Sequence, residues 1–167
     1  MKTLLLIRHA KSAHDNPNQP DIERTLNKRG MEDAPFMGKI LKQQGIIPDM
    51  IYSSPAVRAF TTAKLFAKEL DYNADSILID PVLYSFNASQ ILSFITGLKN
   101  ELQTVLLFSH NPTFHELANY FTGNKIPSMP TCCIVGINFE TDSWDEIDVS
   151  RKQMLLYEFP KKYKGDE

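Results

Sequence analysis

The sequence lacks several features that would assign its class at once. It has only two cysteines among 167 residues, and because Cys132 and Cys133 are adjacent they are poorly placed for a structural disulfide. We interpret them as small buried hydrophobic residues of a protein in a reducing compartment. Basic residues are not in excess: the net charge of −2 excludes a general nucleic-acid or membrane-surface binder, which would need a basic face.

Long apolar runs are absent as well. The run after Met1 stops at Arg8, which is too short for the core of a signal peptide, and no other segment approaches the length of a membrane span. We therefore predict a cytoplasmic protein that binds neither membrane nor nucleic acid. The chain has no internal repeat, no low-complexity tract and no glycine-rich phosphate loop, so P-loop nucleotide hydrolysis is not supported.

Apolar and amphipathic segments alternate along the chain. Strands are predicted at 3–8, 49–53, 76–80, 104–109, 132–139 and 153–159, with helices between the first five of them. Strands that alternate with helices predict a three-layer α/β/α sandwich with a mostly parallel central sheet, to which the last third of the chain adds an antiparallel edge.

The first helix pattern covers about 28–44 and contains Pro35, which is expected to kink or delay the helix. Residues 1–160 are predicted to form a single domain. The remaining residues, 161–167, are rich in charge and are predicted to be a flexible tail.

Three short polar motifs follow the predicted parallel strands. Arg8 and His9 follow the first strand, "SSPAVR" with Arg58 follows the second, and His110 follows the fourth. The carboxyl ends of parallel strands lie at the same edge of a sheet, where ligands bind. We therefore expect these four side chains to surround one crevice.

Two of these motifs run into predicted helix starts. Ser54 and Asn111 are expected to be N-caps, each followed by a proline as the first helical residue. Arg58 then lies in a first helical turn, where a cation opposes the helix dipole and costs up to about 1 kcal/mol unless an anion lies opposite. Arginines, histidines and helix N-termini around one crevice predict an anion site, and the phosphoryl group is the anion that fits best.

The residue types also predict the chemistry. Arginine binds phosphoryl oxygens through paired hydrogen bonds, and a histidine whose Nδ1–H is held by a carbonyl presents Nε2 as a nucleophile. A metal site made of His9, His110, Asp15 and Asp21 is an alternative. It is the weaker one, because no pair of ligands has the close spacing of a zinc motif and the arginines would repel a cation.

Four motifs in the same order, "LLLIRHAKS", "RTLNKRG", "YSSPAVRAFTTA" and "LLFSHNP", resemble those of the histidine phosphatase superfamily. The Arg-His-Ala form and the short chain are most similar to its SixA-type phosphohistidine phosphatase branch. The resemblance implies a phosphoglycerate mutase-like fold, a nucleophile at His9 that becomes phosphorylated, and phosphoryl binding by Arg8, Arg58 and His110. Arg24, in the second motif, matches a further arginine of the same pocket. The resemblance implies neither a metal nor another cofactor.

One segment departs from the wider superfamily, in which many members carry a Leu-x-Glu general acid after the third strand. Here the segment is Leu83-Tyr84-Ser85, and a serine hydroxyl cannot take that role. Asp15 and Asp21 are the remaining candidates, although each is equally well explained as a turn residue. An alkoxide leaving group needs a proton in the transition state, whereas a protonated phosphohistidine leaves as neutral imidazole.

The sequence therefore predicts a phosphatase that forms a phosphohistidine intermediate without a metal and acts on phosphohistidine of a protein. The short connection at 81–90 favours an open crevice, which suits a phosphoryl group displayed on a protein. Two alternatives stay open: a small-molecule phosphomonoesterase of the same superfamily, and a non-catalytic phosphate-binding module on the same fold.

Overall fold

The structure is a computed structural model that describes residues 1–165. Within these residues, six strands form one sheet: β1 (Lys2–Arg8), β2 (Met50–Ser53), β3 (Leu78–Ile79), β4 (Thr104–Ser109), β5 (Ile134–Phe139) and β6 (Lys152–Glu158). The helices are α1 (Lys28–Gln43), α2 (Val57–Glu69), α3 (Ala88–Thr96), α4 (Thr113–Thr122) and α5 (Pro160–Lys164). None of the helices in the described part of the chain is long and apolar enough to cross a membrane.

The strands lie in the order β3-β2-β4-β1-β5-β6. The first four strands are parallel, and β5 and β6 form an antiparallel edge, which confirms the predicted sheet. β1 and β4 are neighbours in a register that places Arg8 opposite Ser109. The residues that follow these strands, His9 and His110, therefore emerge side by side at one edge of the sheet.

Both faces of the sheet are covered by helices, which gives the predicted three layers. In β1, Leu4 and Leu6 belong to a buried cluster with residues of α3 and α4. Leu5 and Ile7 point the other way, into a buried cluster with residues of α1 and α2. Burial on both faces explains why β1 has an unbroken apolar sequence rather than an alternating one.

The start of α2 differs from the prediction. Ala56 occupies the N-cap position and the helix begins at Val57, so the prediction that Ser54 is the cap and Pro55 the first helical residue is wrong. Ser54 Oγ instead accepts a hydrogen bond from the backbone N–H of Ala56 (3.1 Å) within the preceding turn. Arg58 still lies in the first turn of the helix.

The start of α4 is displaced in a similar way. Pro112 occupies the N-cap position and the helix begins at Thr113, so Asn111 is not the cap. The Asn111 side chain reaches away from the helix and donates a hydrogen bond from Nδ2 to the carbonyl of Met129 (2.8 Å). This bond joins the end of β4 to the loop before β5.

Two further elements differ in extent from the prediction. β3 covers only Leu78–Ile79, because residues 74–76 form a short 3-10 turn and the strand lies at the exposed edge of the sheet. Residues 161–164, predicted to belong to a flexible tail, form most of α5, and Lys164 Nζ lies 3.0 Å from Asp33 Oδ1. Residues 166 and 167 of the predicted tail lie outside the described part of the chain.

α1 runs without interruption across Pro35 and is capped by Asn27, whose side chain accepts a hydrogen bond from the N–H of Gly30 (2.9 Å). The expected delay at Pro35 is therefore not seen.

The start of β5 also differs from the prediction. It begins after Cys132, which has a φ of 63° and cannot continue an extended strand. Cys132 and Cys133 are buried free thiols.

Candidate active site

The ends of β1, β2 and β4, which are adjacent parallel strands, open into a cavity of about 320 Å³. The site residues predicted from sequence that line it are Arg8, His9, Asp21, Arg24, Arg58 and His110. The imidazole rings of His9 and His110 have centroids 5.2 Å apart. Asp15 is exposed and does not line the cavity.

His9 is held in one orientation by the backbone. Its Nδ1 lies 2.7 Å from the carbonyl oxygen of Ala10, which can only accept a hydrogen bond, so Nδ1 carries the proton. Burial, with smaller contributions from His110, Arg58 and Arg8, lowers the pKa of His9 to about 3. The ring is therefore neutral at physiological pH, and its Nε2 lone pair is available inside the cavity.

A short chain of hydrogen bonds connects this segment to α2. The N–H of Ala10 donates to Thr62 Oγ1 (3.0 Å), and the Thr62 hydroxyl donates to the carbonyl of Arg58 (2.7 Å). The backbone that positions His9 is thus tied to the helix turn that carries Arg58. The sequence analysis did not predict this role for Thr62, although the residue lies in the motif "YSSPAVRAFTTA".

His110 is oriented by its two ring nitrogens. Arg58 Nη2 lies 3.4 Å from Nδ1, and because a guanidinium can only donate, Nδ1 accepts and Nε2 carries the proton. The Nε2–H donates to Ser54 Oγ at 2.8 Å. Burial, together with the charge of the neighbouring Arg58, lowers the pKa of His110 to about 3. The role of Ser54 as a partner of His110 was not predicted.

Arg58 is almost completely buried and is held by the loop after β1. Its Nη1 donates to the carbonyl of Asp21 (2.7 Å) and its Nη2 donates to the Asp21 carboxylate (2.9 Å). Its Nε is buried and has no hydrogen-bond partner among residues 1–165. A buried N–H without a partner is costly.

The Asp21 carboxylate collects hydrogen bonds from several donors. Tyr84 OH lies 2.7 Å from Oδ2, and Arg24 Nε lies 3.0 Å from Oδ1. The hydrogen bond from Tyr84, with those from Arg58 and Arg24, lowers the pKa of Asp21 well below its usual range. The bond to Asp21 in turn raises the pKa of Tyr84. Asp21 is thus a permanent anion that orients cations, an environment that disfavours its predicted role as a general acid.

The other two arginines reach the cavity from different directions. Arg8 Nη1 donates to the carbonyl of Met129 (3.0 Å), while its Nε is buried without a partner in the described chain. Arg24 Nη1 donates to Ser12 Oγ (2.6 Å) and to the carbonyl of Ala13 (3.1 Å). Both guanidinium groups line the cavity.

The carboxylates and histidines of the site are not arranged as a ligand set. Across the described residues, no three His, Cys, Asp or Glu side chains lie close enough together to hold a metal ion. Asp21 is paired with arginines, and Asp15 does not line the cavity. The remaining two histidines also have other partners: His14 contacts Arg24, and His115 contacts the carbonyl of Ile126.

The low pKa values of His9 and His110 predict a loss of stability in acid. Each ring has a pKa of about 3 in the folded protein against an ordinary value of 6.5, so between these values the unfolded chain binds protons that the folded chain does not. Above pH 6.5 the two neutral rings cost the folded protein no stability, and stability is lost as the pH falls from 6.5 toward 3. We expect the free energy of unfolding to decrease by roughly 1 kcal/mol per pH unit for each histidine in this window.

Urea unfolding at several pH values between 7 and 4 measures this slope. The double variant His9→Gln/His110→Gln should show a shallower dependence on pH, while His14→Gln, at an exposed position, serves as the matched control. An unchanged slope in the double variant would contradict the assignment of buried neutral imidazoles.

Comparison with known protein families gives the site a context. Residues 4–91, more than half of the chain, match the histidine phosphatase superfamily (branch 1). The chain belongs to this superfamily. The matched region contains His9, Arg24 and Arg58, and the predictions of superfamily and of a phosphatase are confirmed. His110 lies beyond the matched region.

Curated relatives are of two kinds. An uncharacterized chloroplastic protein of Arabidopsis thaliana is 28% identical over 153 residues, which cover 87% of this chain and 70% of that protein. A 2,3-bisphosphoglycerate-dependent phosphoglycerate mutase of Erythrobacter litoralis is 33% identical over 75 residues, which cover 42% of this chain. That second match spans only 32% of the mutase, so it concerns a shared segment rather than the whole enzyme.

Solved structures share the fold of this chain. A protein of Agrobacterium tumefaciens, provisionally assigned as the phosphohistidine phosphatase SixA, superposes with a TM-score of 0.81 at 23% identity and covers 95% of this chain and 98% of its own. The protein histidine phosphatase SixA complexed with tungstate has a TM-score of 0.77 at 22% identity, with 93% and 95% covered. At these identities, the likeness establishes the fold.

Proposed function

We propose that the protein dephosphorylates phosphohistidine on a protein substrate and that His9 carries the phosphoryl group between two half-reactions. The observation that carries this proposal is the state of His9. Its imidazole is buried, neutral at physiological pH and hydrogen-bonded through Nδ1, so that Nε2 is the nitrogen available to attack phosphorus. Cations line the same cavity and would neutralise the phosphoryl oxygens that otherwise repel a nucleophile.

In this proposal, Arg8, Arg24, Arg58 and His110 bind the phosphoryl group. Arg8 and Arg58 both line the cavity, and their guanidinium groups are donors suited to phosphoryl oxygens. His110 presents an unprotonated Nδ1 beside Arg58. A bound dianion would raise the pKa of His110 and make that nitrogen a donor as well.

In this reaction the substrate phosphohistidine is protonated on its other ring nitrogen. The His9 Nε2 lone pair forms a bond to phosphorus while the substrate P–N bond breaks, and the substrate leaves as neutral imidazole. Water then attacks the phosphorus of phospho-His9, and the P–Nε2 bond breaks. The products are dihydrogen phosphate and neutral His9, which keeps its Nδ1–H to Ala10, so no outside proton donor is required.

Among residues 1–165, Asp21 is the only carboxylic acid that lines the cavity, and it is poorly suited to protonate a more basic leaving group. Asp21 is held as an anion, and Tyr84 is committed to a hydrogen bond with it and has a raised pKa. A phosphomonoester needs a proton delivered to its alkoxide, which typically contributes about 10²–10⁴-fold to the rate. These surroundings favour a phosphoramidate over a phosphoester.

The rim of the cavity favours a protein as the carrier of that phosphoramidate. The connection from β3 to α3 is short, covering residues 80–87, and offers little chain to enclose a small metabolite. Phe86, in this connection, lines the cavity and is 74% exposed. A large exposed apolar side chain beside a phosphoryl site suits contact with a protein surface.

The test is a comparison of kcat/KM for a phosphohistidine peptide with kcat/KM for several phosphomonoesters. We expect the phosphohistidine peptide to be preferred by about a hundredfold or more, because only the esters depend on an acid. Activity should persist in EDTA, and tungstate or vanadate should inhibit as mimics of the phosphoryl group.

Two results would redirect the proposal. Loss of activity in EDTA with recovery on adding a divalent ion would indicate a metal-dependent reaction. A hundredfold preference for a sugar or nucleoside phosphate, with its pH dependence abolished in Asp21→Asn or Asp15→Asn, would make the protein a small-molecule phosphatase with an aspartate acid.

A further inference from the structure

A second cavity, of about 260 Å³, lies directly beside the candidate active site. The two cavities share Arg8, Lys11 and Thr131 as lining residues. The others that line the second cavity are Arg29, Pro130, Pro160 and Lys161. The lining thus brings together several cations from distant parts of the sequence, and among residues 1–165 it includes no Asp or Glu.

This concentration of positive charge is local, because the chain as a whole has a net charge of −2. The Lys11 ammonium makes no hydrogen bond or ion pair with residues 1–165, and its side chain is exposed. Arg29 has a partner in the buried Asp33, at 3.5 Å, but Asp33 is shared with Lys164 at 3.0 Å. One carboxylate therefore balances two cations, and Arg8 and Lys11 have no carboxylate partner among residues 1–165, so the described part of the cavity lining has an excess of positive charge.

The backbone beneath the cavity is closely fitted. The N–H of Asn27, at the start of α1, donates to the carbonyl of Lys11 at 3.0 Å. A Cβ atom added to Gly30 would lie 2.1 Å from that carbonyl oxygen, so only glycine allows the first turn of α1 to approach the loop. This contact brings Arg29 to the side of the cavity where Lys11 emerges.

We propose that the second cavity binds a carboxylate of the protein substrate, an Asp or Glu close to the phosphohistidine in the bound chain. The inference rests on the proposed function and specifies its substrate class as an acidic phosphohistidine protein. The positive charges of Arg29 and Lys161 attract the carboxylate. Arg8 and Lys11 line both cavities and so lie between the carboxylate site and the phosphoryl site. The exposed Phe86 at the first cavity favours a protein occupant over a small bisphosphate, which would leave this apolar side chain in water.

The experiment compares two phosphohistidine peptides that are identical except that flanking Asp and Glu residues in one are Asn and Gln in the other. We expect wild-type protein to prefer the acidic peptide by about tenfold in kcat/KM at low salt, and the preference to shrink as salt screens the charges. In the double variant Arg29→Gln/Lys161→Gln the ratio between the two peptides should fall to about one.

Matched controls separate this effect from a general change of charge or fold. Lys39→Gln/Lys68→Gln removes the same charge from exposed positions on α1 and α2 and should keep the preference. Lys161→Glu leaves the Arg29–Asp33 pair in place and should lower the preference by itself. An unchanged ratio in both cavity variants would overturn the proposal.

A further measurement distinguishes failure of the subsite proposal from failure of the proposed function. If wild-type protein hydrolyses neither phosphohistidine peptide, the proposed function is wrong, and the acidic-peptide subsite with it. Hydrolysis of both phosphohistidine peptides without a preference for the acidic one would contradict the subsite alone. If a small bisphosphate is preferred over its monophosphate and the double variant loses that preference, the cavity binds a second phosphoryl group and the protein carboxylate is the wrong occupant.

Discussion

Replacement of His9 by alanine is expected to lower kcat/KM by at least about 10⁴-fold, because the group that attacks phosphorus is lost. The variant should also fail to become labelled when mixed with a phosphorylated substrate and quenched. In the wild-type protein that label should be stable in alkali and labile in acid, as expected for a phosphorus–nitrogen bond. Burst kinetics and quenched labelling measure the two effects separately.

His115→Ala is the matched control for this experiment. His115 lies on α4, outside the cavity, with its Nε2 at 2.8 Å from the carbonyl of Ile126. Thermal unfolding of both variants shows whether either change disturbs the fold. Acid-labile labelling that persists in a folded His9→Ala protein would place the nucleophile elsewhere, and His110 would be the next residue to test.

Replacement of Arg58 by alanine is expected to reduce kcat by about 10²–10³-fold through loss of charge stabilisation in the transition state. Arg58→Lys should restore only part of the activity, because an ammonium cannot reproduce the planar, paired contacts of a guanidinium. Arg58 also lowers the pKa of His110, so its removal should raise that pKa toward the ordinary value of 6.5 while burial still holds it below.

Steady-state kinetics and an NMR titration of the His110 ring measure these two consequences. Arg151→Ala, at an exposed position beyond the site, is the control for loss of one arginine charge. A normal kcat in Arg58→Ala would remove Arg58 from the catalytic machinery. An unchanged pKa of His110 in the same variant would show that burial alone sets it.

The convergence of His9, Arg58 and His110 follows from the sequence for a simple reason. Each residue comes directly after an apolar strand or in the first turn that follows one, and parallel strands end at the same edge of a sheet. Hydrophobic periodicity was sufficient to locate those strand ends. It was less reliable for helix starts: Ser54 and Asn111 have the residue types of N-caps, but tertiary partners at His110 and Met129 take their side chains instead.

The partners of the site residues were not predictable from local patterns. Tyr84 and Asp21 are separated by 63 positions in the sequence, and Asp21 comes from an irregular loop without periodicity. Thr62 contacts Ala10 across 52 positions. Side chains that meet through the fold leave no regular spacing in the chain, and only the structure shows which of many Asp, Thr or Tyr residues are involved.

The sequence by itself determined the order of strands and helices, the mostly parallel sheet and the edge at which the polar motifs meet, because burial of apolar side chains imposes regular spacing on the chain. The tertiary structure decided which groups are charged. Desolvation and through-space charge keep His9 and His110 neutral and Asp21 ionised. The structure also decided that a second basic cavity adjoins the first, since it assembles cations from β1, the loop after it, α1 and α5. Both properties depend on distances between residues remote in sequence, which residue spacing along the chain does not encode.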